Sequence, residues 1–457
     1  MKIKTAYSSL TLACIAALGL SVATPVSAAD GVIIGSVKDA AQTRSYTGAQ
    51  IKLKELGLVT EAGTDGTFRF PSIPEGTYTL EISYLGEETV TQAIKVTDNG
   101  IARAAVEFGS GDTIDEILVR GQRSGQASAI NQQRTSDRIS SIVSADAIGQ
   151  FPDQNAAESL QRLPGLSIER DQGEGRFVGI RGIDPNLNNV TINGLNIPSP
   201  ESGVRSVALD VIPSELIQTL EVSKSVTPDM DGDAIGGSVA VKSVSAFDKA
   251  RDTASVTVQA SQNDLRDETS PKLSGTFTKK LSPKWGVAGA VSYFDRDFGS
   301  DNVESNGDDE LEQRHYTITR ERLGSALNID FRPDFNNQYF LRTLYSEFSD
   351  DEYRQGNIFT FDGEDSEIER ESKDRFESQS IFTVALGGEH QLDTWKANWQ
   401  LGYAKSDEDE PDALYYVFKT ENDSIDADLN TMRPTVSQNA DAMNLSTYEV
   451  DEISFED

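Results

Sequence analysis

The chain has 457 residues, of which 74 are Asp or Glu and 41 are Lys or Arg, so its formal net charge is −33. This acidic excess argues against nucleic acid as a partner, because a phosphate backbone is bound through basic patches. The sequence contains two histidines, His315 and His390, and one cysteine, Cys14. It therefore has little material for zinc sites, Ser/His/Asp catalysis or disulfides, and we predict no enzyme activity, no catalytic residue and no cofactor.

The first 28 residues have the layout of a secretory signal. A basic start with Lys2 and Lys4 precedes an apolar run, Leu10 to Ala23, and then small residues up to Ala29. The apolar run is shorter and richer in alanine than a membrane span of about 20 residues. We predict that residues 1–28 are a cleaved signal peptide. No later apolar stretch approaches about 18 residues, so the mature chain could enter a membrane only as a β-barrel.

Residues 29–109 consist of short alternating runs punctuated by glycine and proline, which predict a small β-sandwich. The stretch Thr64–Leu80, TDGTFRFPSIPEGTYTL, has one turn at Asp65-Gly66 and another at Pro74–Gly76. It resembles the carboxypeptidase regulatory-like domain, a seven-stranded transthyretin-like sandwich. The resemblance implies an accessory fold and not a peptidase.

Residues 110–123 form a linker that includes GDTIDEILVRGQR. Its apolar residues stand beside acidic ones and are flanked by Gly and Ser. Such an extended segment can add as a strand to the sheet edge of a partner protein. An ordinary strand of the following domain fits the spacing equally well, so the residues alone leave both interpretations open.

Residues 124–245 have a glycine-rich composition that predicts a mixed α/β domain. The stretch Asn155–Arg162, NAAESLQR, predicts a compact helix that ends at a Leu-Pro-Gly turn. Short strands closed by Gly or Asn follow it. We predict a second helix start at Pro213–Glu215, leading into a strand at Thr219–Ser223.

Two stretches of this region, Leu160–Leu195 and Val211–Ser243, resemble the plug domain of a TonB-dependent outer-membrane receptor. Five motifs occur in the family's order: LPG after a helix, an R-G pair, a strand ending in N-G, a P-x-x-x-I-x-x-x-E-V segment and a terminal G-G. The motif residues are Leu163, Pro164, Gly165, Arg181, Gly182, Asn193, Gly194, Glu221, Gly236 and Gly237. The segments FPDQNAAESLQRLPG and GEGRFVGIRG are similar to a proteobacterial subgroup often associated with carbohydrate uptake.

The same resemblance favours strand addition for the linker, which is similar to a TonB box. The box residues are Ile114, Asp115, Glu116, Ile117, Leu118 and Val119. The acidic turn Asp229–Asp233 has alternating carboxylates but lacks the bidentate Glu of a calcium loop, and we predict no metal site there.

Residues 246–457 contain about eight amphipathic runs of about ten residues, a pattern typical of transmembrane β-strands. Aromatic residues near the run ends fit an interfacial girdle, although a soluble β-domain would also bury aromatic residues. Short turns such as Ser282–Lys284 alternate with long acidic segments, Asp295–Gln313 and Ser349–Arg375, which we predict as outer loops.

The predicted fold class is therefore mainly β: a transthyretin-like sandwich, a mixed α/β plug domain, and the first strands of an incomplete transmembrane β-barrel. Receptors of the resembled family have a 22-stranded barrel filled by the plug. About eight runs cannot close such a barrel, so we expect the sequence to be an amino-terminal fragment.

The resemblance implies energy-coupled import of a scarce solute across the outer membrane of a Gram-negative cell, with the sandwich in the periplasm. The implied partners are the TonB-ExbB-ExbD complex, outer-membrane lipid and a small solute. Aromatic residues beside acidic and amide ones, as in Tyr353–Asn357 and Phe359–Asp362, suit sugar rings and favour an oligosaccharide. A ferric-siderophore receptor is the alternative. A sensory transducer of the same family would carry a mixed α/β signalling domain where this chain has a sandwich.

Overall fold

The computed structural model describes residues 30–42, 44–109, 120–136, 138–144, 153–228, 230–232, 234–249, 251–305, 309–362, 365–392, 395–421, 425–428, 434–438 and 442–456. The predicted signal peptide and the predicted TonB box, Ile114–Val119, lie outside these residues, as do Asp229 and Asp233. No helix within the described ranges is both long and apolar enough to cross a membrane.

The amino-terminal unit is a sandwich of seven strands, which confirms the predicted fold. The strands are β1 (Gly31–Asp39), β2 (Gln50–Leu53), β3 (Leu58–Glu61), β4 (Thr67–Ile73), β5 (Gly76–Ser83), β6 (Val90–Val96) and β7 (Ile101–Phe108). One sheet has the order β4-β1-β7 and the other β3-β2-β5-β6. Alternate residues such as Ile51, Leu53, Leu80 and Ile82 point inward and are fully buried between the sheets, as the period-two pattern predicts.

A mixed α/β unit follows. Its elements are α1 (Arg120–Thr135), β8 (Ser140–Ser144), α2 (Ala156–Leu160), β9 (Leu166–Asp171), β10 (Glu174–Ile180), β11 (Asn188–Ile192), β12 (Leu195–Asn196), β13 (Ile217–Ser223) and β14 (Gly237–Ser243). Strands β9 and β10 form a separate hairpin, and the other strands form one sheet in the order β12-β11-β14-β13-β8.

The helix predicted at Asn155–Arg162 is confirmed as the shorter α2, with the Asn155 side chain accepting a hydrogen bond from the Glu158 amide. The helix start predicted at Pro213–Glu215 is a single 3₁₀ turn, Ser214–Leu216, and it leads into β13 at the predicted strand. Helix α1 and strand β8 were not predicted. Helix α1 begins at Arg120, inside the predicted linker.

The described residues of the carboxyl-terminal unit form a large antiparallel sheet of nine strands. They are β15 (Thr253–Asn263), β16 (Arg266–Lys280), β17 (Trp285–Ser305), β18 (Glu310–Phe331), β19 (Asn337–Asp362), β20 (Asp365–Leu392), β21 (Trp395–Asp409), β22 (Ala413–Glu421) and β25 (Glu449–Glu456). Strands β21 and β22 pair with different parts of β20. Strands β23 (Asp426–Asp428) and β24 (Thr435–Ser437) form a separate pair. Among the described residues, β15, β21 and β25 are edge strands of the large sheet, since each pairs with a single neighbour.

The predicted outer loops, Asp295–Gln313 and Ser349–Arg375, are wrong. Strands β17 to β20 are 21 to 28 residues long and pair through most of these segments without a break in register. Cross-strand ion pairs hold the acidic residues in the ladder, as between Arg354 and Glu371 at 3.1 Å. The predicted short turn at Ser282–Lys284 is confirmed, and it marks what we call the short-turn end of the sheet. The opposite end, with the tips of the β17–β18 and β19–β20 hairpins, is the hairpin end.

The mixed α/β unit packs on one face of the large sheet. Their shared core joins Ile212 and Leu216 to Ala290, Leu344 and Phe348 of the sheet. At one crossing, a Cβ on Gly324 of β18 would lie 2.8 Å from side-chain atoms of both Pro213 and Leu216, so this close approach requires glycine.

The sandwich contacts the short-turn end of the large sheet. Asp65 pairs with Arg332, and the Arg103 guanidinium lies 4.8 Å from the centre of the Phe335 ring. The mixed α/β unit and the sandwich therefore contact different parts of the strands of the large sheet.

Candidate functional site

Three of the motifs that are distant in sequence meet in the folded unit. The Arg181 amide donates to the Gly165 carbonyl oxygen at 2.8 Å, and the Arg181 guanidinium donates to the Gly236 carbonyl oxygen at 3.3 Å. Gly165, Arg181 and Gly182 all have positive φ angles, and Gly237 has a φ of 147°. The LPG, R-G and G-G motifs thus form one set of tight turns that holds the unit together.

The remaining motif residues lie in other parts of the same unit. Asn193 and Gly194 form the β11–β12 turn, where the Asn193 carboxamide oxygen accepts hydrogen bonds from Ser243. Leu163 packs against the shared core, and Pro164 contributes its carbonyl oxygen to Lys224. Glu221 lies on β13 and pairs with Lys242 at 2.9 Å. The structure therefore places the motif residues in structural turns and surface pairs, away from the two cavities described below.

The most extensive charged cluster joins the β9–β10 hairpin to the large sheet. Glu174 pairs with Arg296, with Arg320 at 2.9 Å and with Arg322. Arg320 also pairs with Asp350 at 3.0 Å and with Asp171 at 3.0 Å. Glu174 is only 4% exposed, and Arg320 and Arg322 are 0% and 1% exposed.

Sequence reasoning missed this cluster. Arg296 fell within a segment predicted as a loop, and Arg320 and Arg322 were not singled out. Their spacing of two residues was the available signal, because residues i and i+2 of a strand face the same side. Buried arginines are almost always paired, so two arginines on the same face of a strand indicate that an anionic group covers that face.

The arginines control the ionisation of Glu174. Burial by itself would raise the pKa of this carboxyl group, but the guanidinium groups of Arg322, Arg320 and Arg296 reverse the effect and hold its pKa below the ordinary value of a glutamate. Glu174 is therefore an anion clamped between strands of the sheet. The cluster is suited to holding the hairpin in place.

A second buried carboxylate, Asp210, has a different environment. It is 1% exposed, and neither of its carboxylate oxygens has a hydrogen-bond partner among the described residues. Burial raises its pKa above the ordinary value, although Arg176 and Arg322 act in the opposite direction. Asp210 is thus a buried acid whose charge is incompletely compensated.

A cavity of about 510 Å³ lies between the hairpin, the loop that follows β12, and strands β20 and β21. Arg176 pairs with Glu201 at 2.7 Å, and the Ser202 amide donates to Glu408 at 3.1 Å, so the loop and the sheet close the cavity together. Six carboxylates and three guanidinium groups line it beside one aromatic ring. The lining residues are Glu169, Arg170, Asp171, Arg176, Phe177, Glu201, Ser202, Arg375, Glu377, Glu408 and Glu410.

A second cavity, of about 630 Å³, lies on the other side of the same loop. Its polar lining is dominated by the carboxamides of Asn188, Asn189 and Asn196, and Arg205 is the one charged residue among the described residues that line it. The loop after β12 therefore forms a wall of both cavities. We call the first cavity the charged cavity. It is the better candidate site, because residues of the mixed α/β unit and of the large sheet both line it.

Two sequence families match this chain. The family described as TonB-dependent Receptor Plug Domain matches residues 131–238. The family described as CarboxypepD_reg-like domain matches residues 33–119. No curated protein matches the chain in sequence.

Several solved structures are similar to parts of this chain. The ferric citrate transporter FecA, in its unliganded form, is 12% identical, with 67% of this chain and 51% of FecA covered and a TM-score of 0.32. The siderophore receptor PiuA from Acinetobacter baumannii is 14% identical, with 68% and 50% covered and a TM-score of 0.36. A mutant of the ferric enterobactin receptor PfeA from Pseudomonas aeruginosa is 11% identical, with 64% and 62% covered and a TM-score of 0.33. The chain thus spans between 50% and 62% of the length of these proteins.

In chain order, the described residues form a carboxypeptidase regulatory-like sandwich, a plug-like α/β unit and a long-stranded antiparallel sheet. Residues 131–238 of this chain are therefore similar to the plug domain of TonB-dependent receptors, and residues 33–119 are similar to a carboxypeptidase regulatory-like domain. The two domain resemblances drawn from the sequence motifs, to a plug domain and to a carboxypeptidase regulatory-like domain, are confirmed by these matches.

Proposed function

We propose that the protein imports a scarce solute across the outer membrane of a Gram-negative cell, driven by the TonB-ExbB-ExbD complex. In this account residues 1–28 direct export, residues 29–109 form a periplasmic sandwich, and residues 110–123 contain the TonB box. Residues 124–245 form the plug, and residues 246–457 form the first part of the barrel, whose outer face contacts lipid. The plug motifs serve to hold the plug fold.

The composition of the charged cavity carries the substrate assignment. Its carboxylates outnumber its guanidinium groups six to three. An anionic iron chelate would be repelled by this excess, whereas neutral hydroxyl groups can donate to carboxylates and accept from arginines. The aromatic ring of Phe177 adds a face on which a sugar ring can stack. We therefore assign an oligosaccharide, with a ferric siderophore as the alternative.

Ligand titration with the full-length receptor tests this assignment. Glu201→Gln keeps the shape of the side chain but removes one acceptor charge, and we expect at least about tenfold weaker oligosaccharide binding. Glu221→Gln is the matched control, because Glu221 pairs with Lys242 on β13 and lies outside the cavity lining. Its affinity should equal that of the parent.

Expression of the complete gene gives an independent test. Induction by a carbohydrate is the expected result. Induction by iron starvation, together with binding of a ferric chelate and of no oligosaccharide, would replace the assigned substrate by a siderophore.

A further inference from the structure

Helix α1 connects the proposed TonB box to the plug sheet, and its sequence is a weak helix former. The 16 residues, RGQRSGQASAINQQRT, include two glycines and several residues of low helix propensity, and the first turn contains no acidic residue. An isolated helix of this length is marginal in water even with a better sequence. The stability of α1 must therefore come from the surfaces that it contacts.

One of these surfaces belongs to the sandwich. Ala127 packs against the sandwich core, and Ser128 and Asn131 lie against the hydroxyl group of Tyr84. The backbones also approach closely, since a Cβ on Gly48 would lie 3.0 Å from the amide nitrogen of Gln132. The carboxyl half of α1 is thus seated directly on the sandwich.

The other surface belongs to the edge of the plug sheet. The Gln133 carboxamide donates to the carbonyl oxygen of Ile142 in β8 at 3.2 Å. Strand β8 pairs only with β13 within the described sheet. Helix α1 therefore links the sandwich to the outermost strand of the plug.

The sandwich is itself anchored. Asp65 pairs with Arg332 in the turn after β18, and Arg69 donates to Asn336 in the same turn. The Arg251 guanidinium donates to the carbonyl oxygen of Ala41 at 2.9 Å. These contacts fix the sandwich to the short-turn end of the sheet, so that it is a stationary support for α1.

We propose that the sandwich keeps α1 folded as a short tether and that release of α1 from the sandwich lengthens the connection between the TonB box and the plug. As a helix, the 16 residues span about 24 Å. Extended, they span about 55 Å. Release therefore adds about 30 Å of reach before any strand of the plug must move. The inference rests on the proposed function only for the identity of the segment that is pulled.

Amide hydrogen exchange in the full-length receptor tests the contact. Tyr84→Phe removes the hydroxyl group that faces α1 while keeping the ring in the sandwich core. We expect exchange of the amides between residues 126 and 135 to rise about fivefold, because the polar side chains of Ser128 and Asn131 lose the polar group that they face. Tyr78→Phe is the matched control, because its hydroxyl donates to the Pro74 carbonyl oxygen inside the sandwich. Exchange of α1 should not change in this control.

A second variant distinguishes stabilisation of α1 by contact with the sandwich from stabilisation by its own helix propensity. Asn131→Ala introduces a better helix former, so propensity alone would slow the exchange of α1. Seating on the sandwich predicts the opposite, because Asn131 is 4% exposed at this contact and its polar group is lost. Slower exchange in Asn131→Ala, or unchanged exchange in Tyr84→Phe, would overturn the proposal.

The rate at which the full-length receptor binds its energy-coupling partner tests whether release of α1 lengthens the connection to the TonB box. Tyr84→Phe should bind the partner faster than the parent, and an equal rate despite faster α1 exchange would overturn the claim about reach. If the parent receptor does not bind the partner at all, the proposed function fails. The exchange measurements still decide whether the sandwich holds α1.

Discussion

The Nη1 atom of Arg320 lies 2.9 Å from the Oε2 atom of Glu174, and both side chains are buried. Glu174 belongs to the β9–β10 hairpin of the plug, and Arg320 belongs to β18 of the large sheet. This pair therefore crosses the boundary between the two units. Arg296 and Arg322 contact the same carboxylate, so one anion joins three arginines of the sheet to the plug.

We predict that Glu174→Gln destabilises the plug more than any surface substitution. Removing one partner of a buried ion pair costs about 3–5 kcal/mol, because the remaining charges stay buried without compensation. The midpoint of plug unfolding in urea should fall in the full-length receptor. Glu221→Gln provides the control, since its partner Lys242 is exposed and the expected cost is below about 1 kcal/mol. Equal midpoints for both variants would contradict the role of Glu174.

The pH dependence of the Glu174→Gln effect has a definite sign. The folded-state pKa of Glu174 is lowered, so its contribution to stability is fully present above the ordinary glutamate pKa of about 4.3. The contribution is lost as the pH falls below that value towards the folded-state pKa. The midpoint difference between parent and variant should therefore be constant near neutrality and should shrink only in acid.

Asp210 should behave in the opposite way. Its folded-state pKa is raised, so stability decreases as the pH rises from the ordinary aspartate pKa of about 3.9 through the folded-state value. We predict that Asp210→Asn increases the urea midpoint at pH 7 and has little effect in strong acid. Asp350→Asn is the same chemical change at a carboxylate that pairs with Arg320, and it should lower the midpoint at pH 7. A loss of stability in both variants would show that Asp210 is compensated after all.

The sandwich should fold by itself. Among the described residues, its core consists of nineteen buried residues of the sandwich itself, and Ala127 of α1 packs at the margin. We predict that residues 30–109, expressed alone, unfold in a single cooperative thermal transition. Removing the sandwich from the full-length receptor should leave ligand affinity unchanged. A gradual melt, or a loss of ligand binding, would contradict its independence.

Local signals in the sequence identified several elements correctly. Asn155 caps α2, and Asp65 accepts hydrogen bonds from Thr67 at the turn predicted before Phe68. The N-G pair at Asn193 also forms the expected turn with positive φ angles. In each case residues close in sequence determine the backbone conformation.

The elements that were missed depend on contacts between distant residues. Helix α1 has little apolar periodicity and is stabilised by the sandwich and β8. The acidic segments of β17 to β20 were predicted as loops because they are highly charged. Ion pairs between neighbouring strands, such as that of Arg314 with Glu304 at 2.9 Å, instead stabilise them as extended hairpins. The charged cavity brings Arg176 and Glu377 within 3.7 Å across 201 positions of the chain, and no spacing rule connects such residues.

The most direct test of the account is energy-coupled uptake by the full-length receptor carrying Ile117→Pro. Proline removes a backbone donor and fixes φ, so it prevents the proposed TonB box from adding as a strand to its partner. We predict that uptake is abolished while ligand affinity at the outer surface equals that of the parent. Equal uptake by the variant and the parent would contradict the assignment of Ile114–Val119 as the coupling segment.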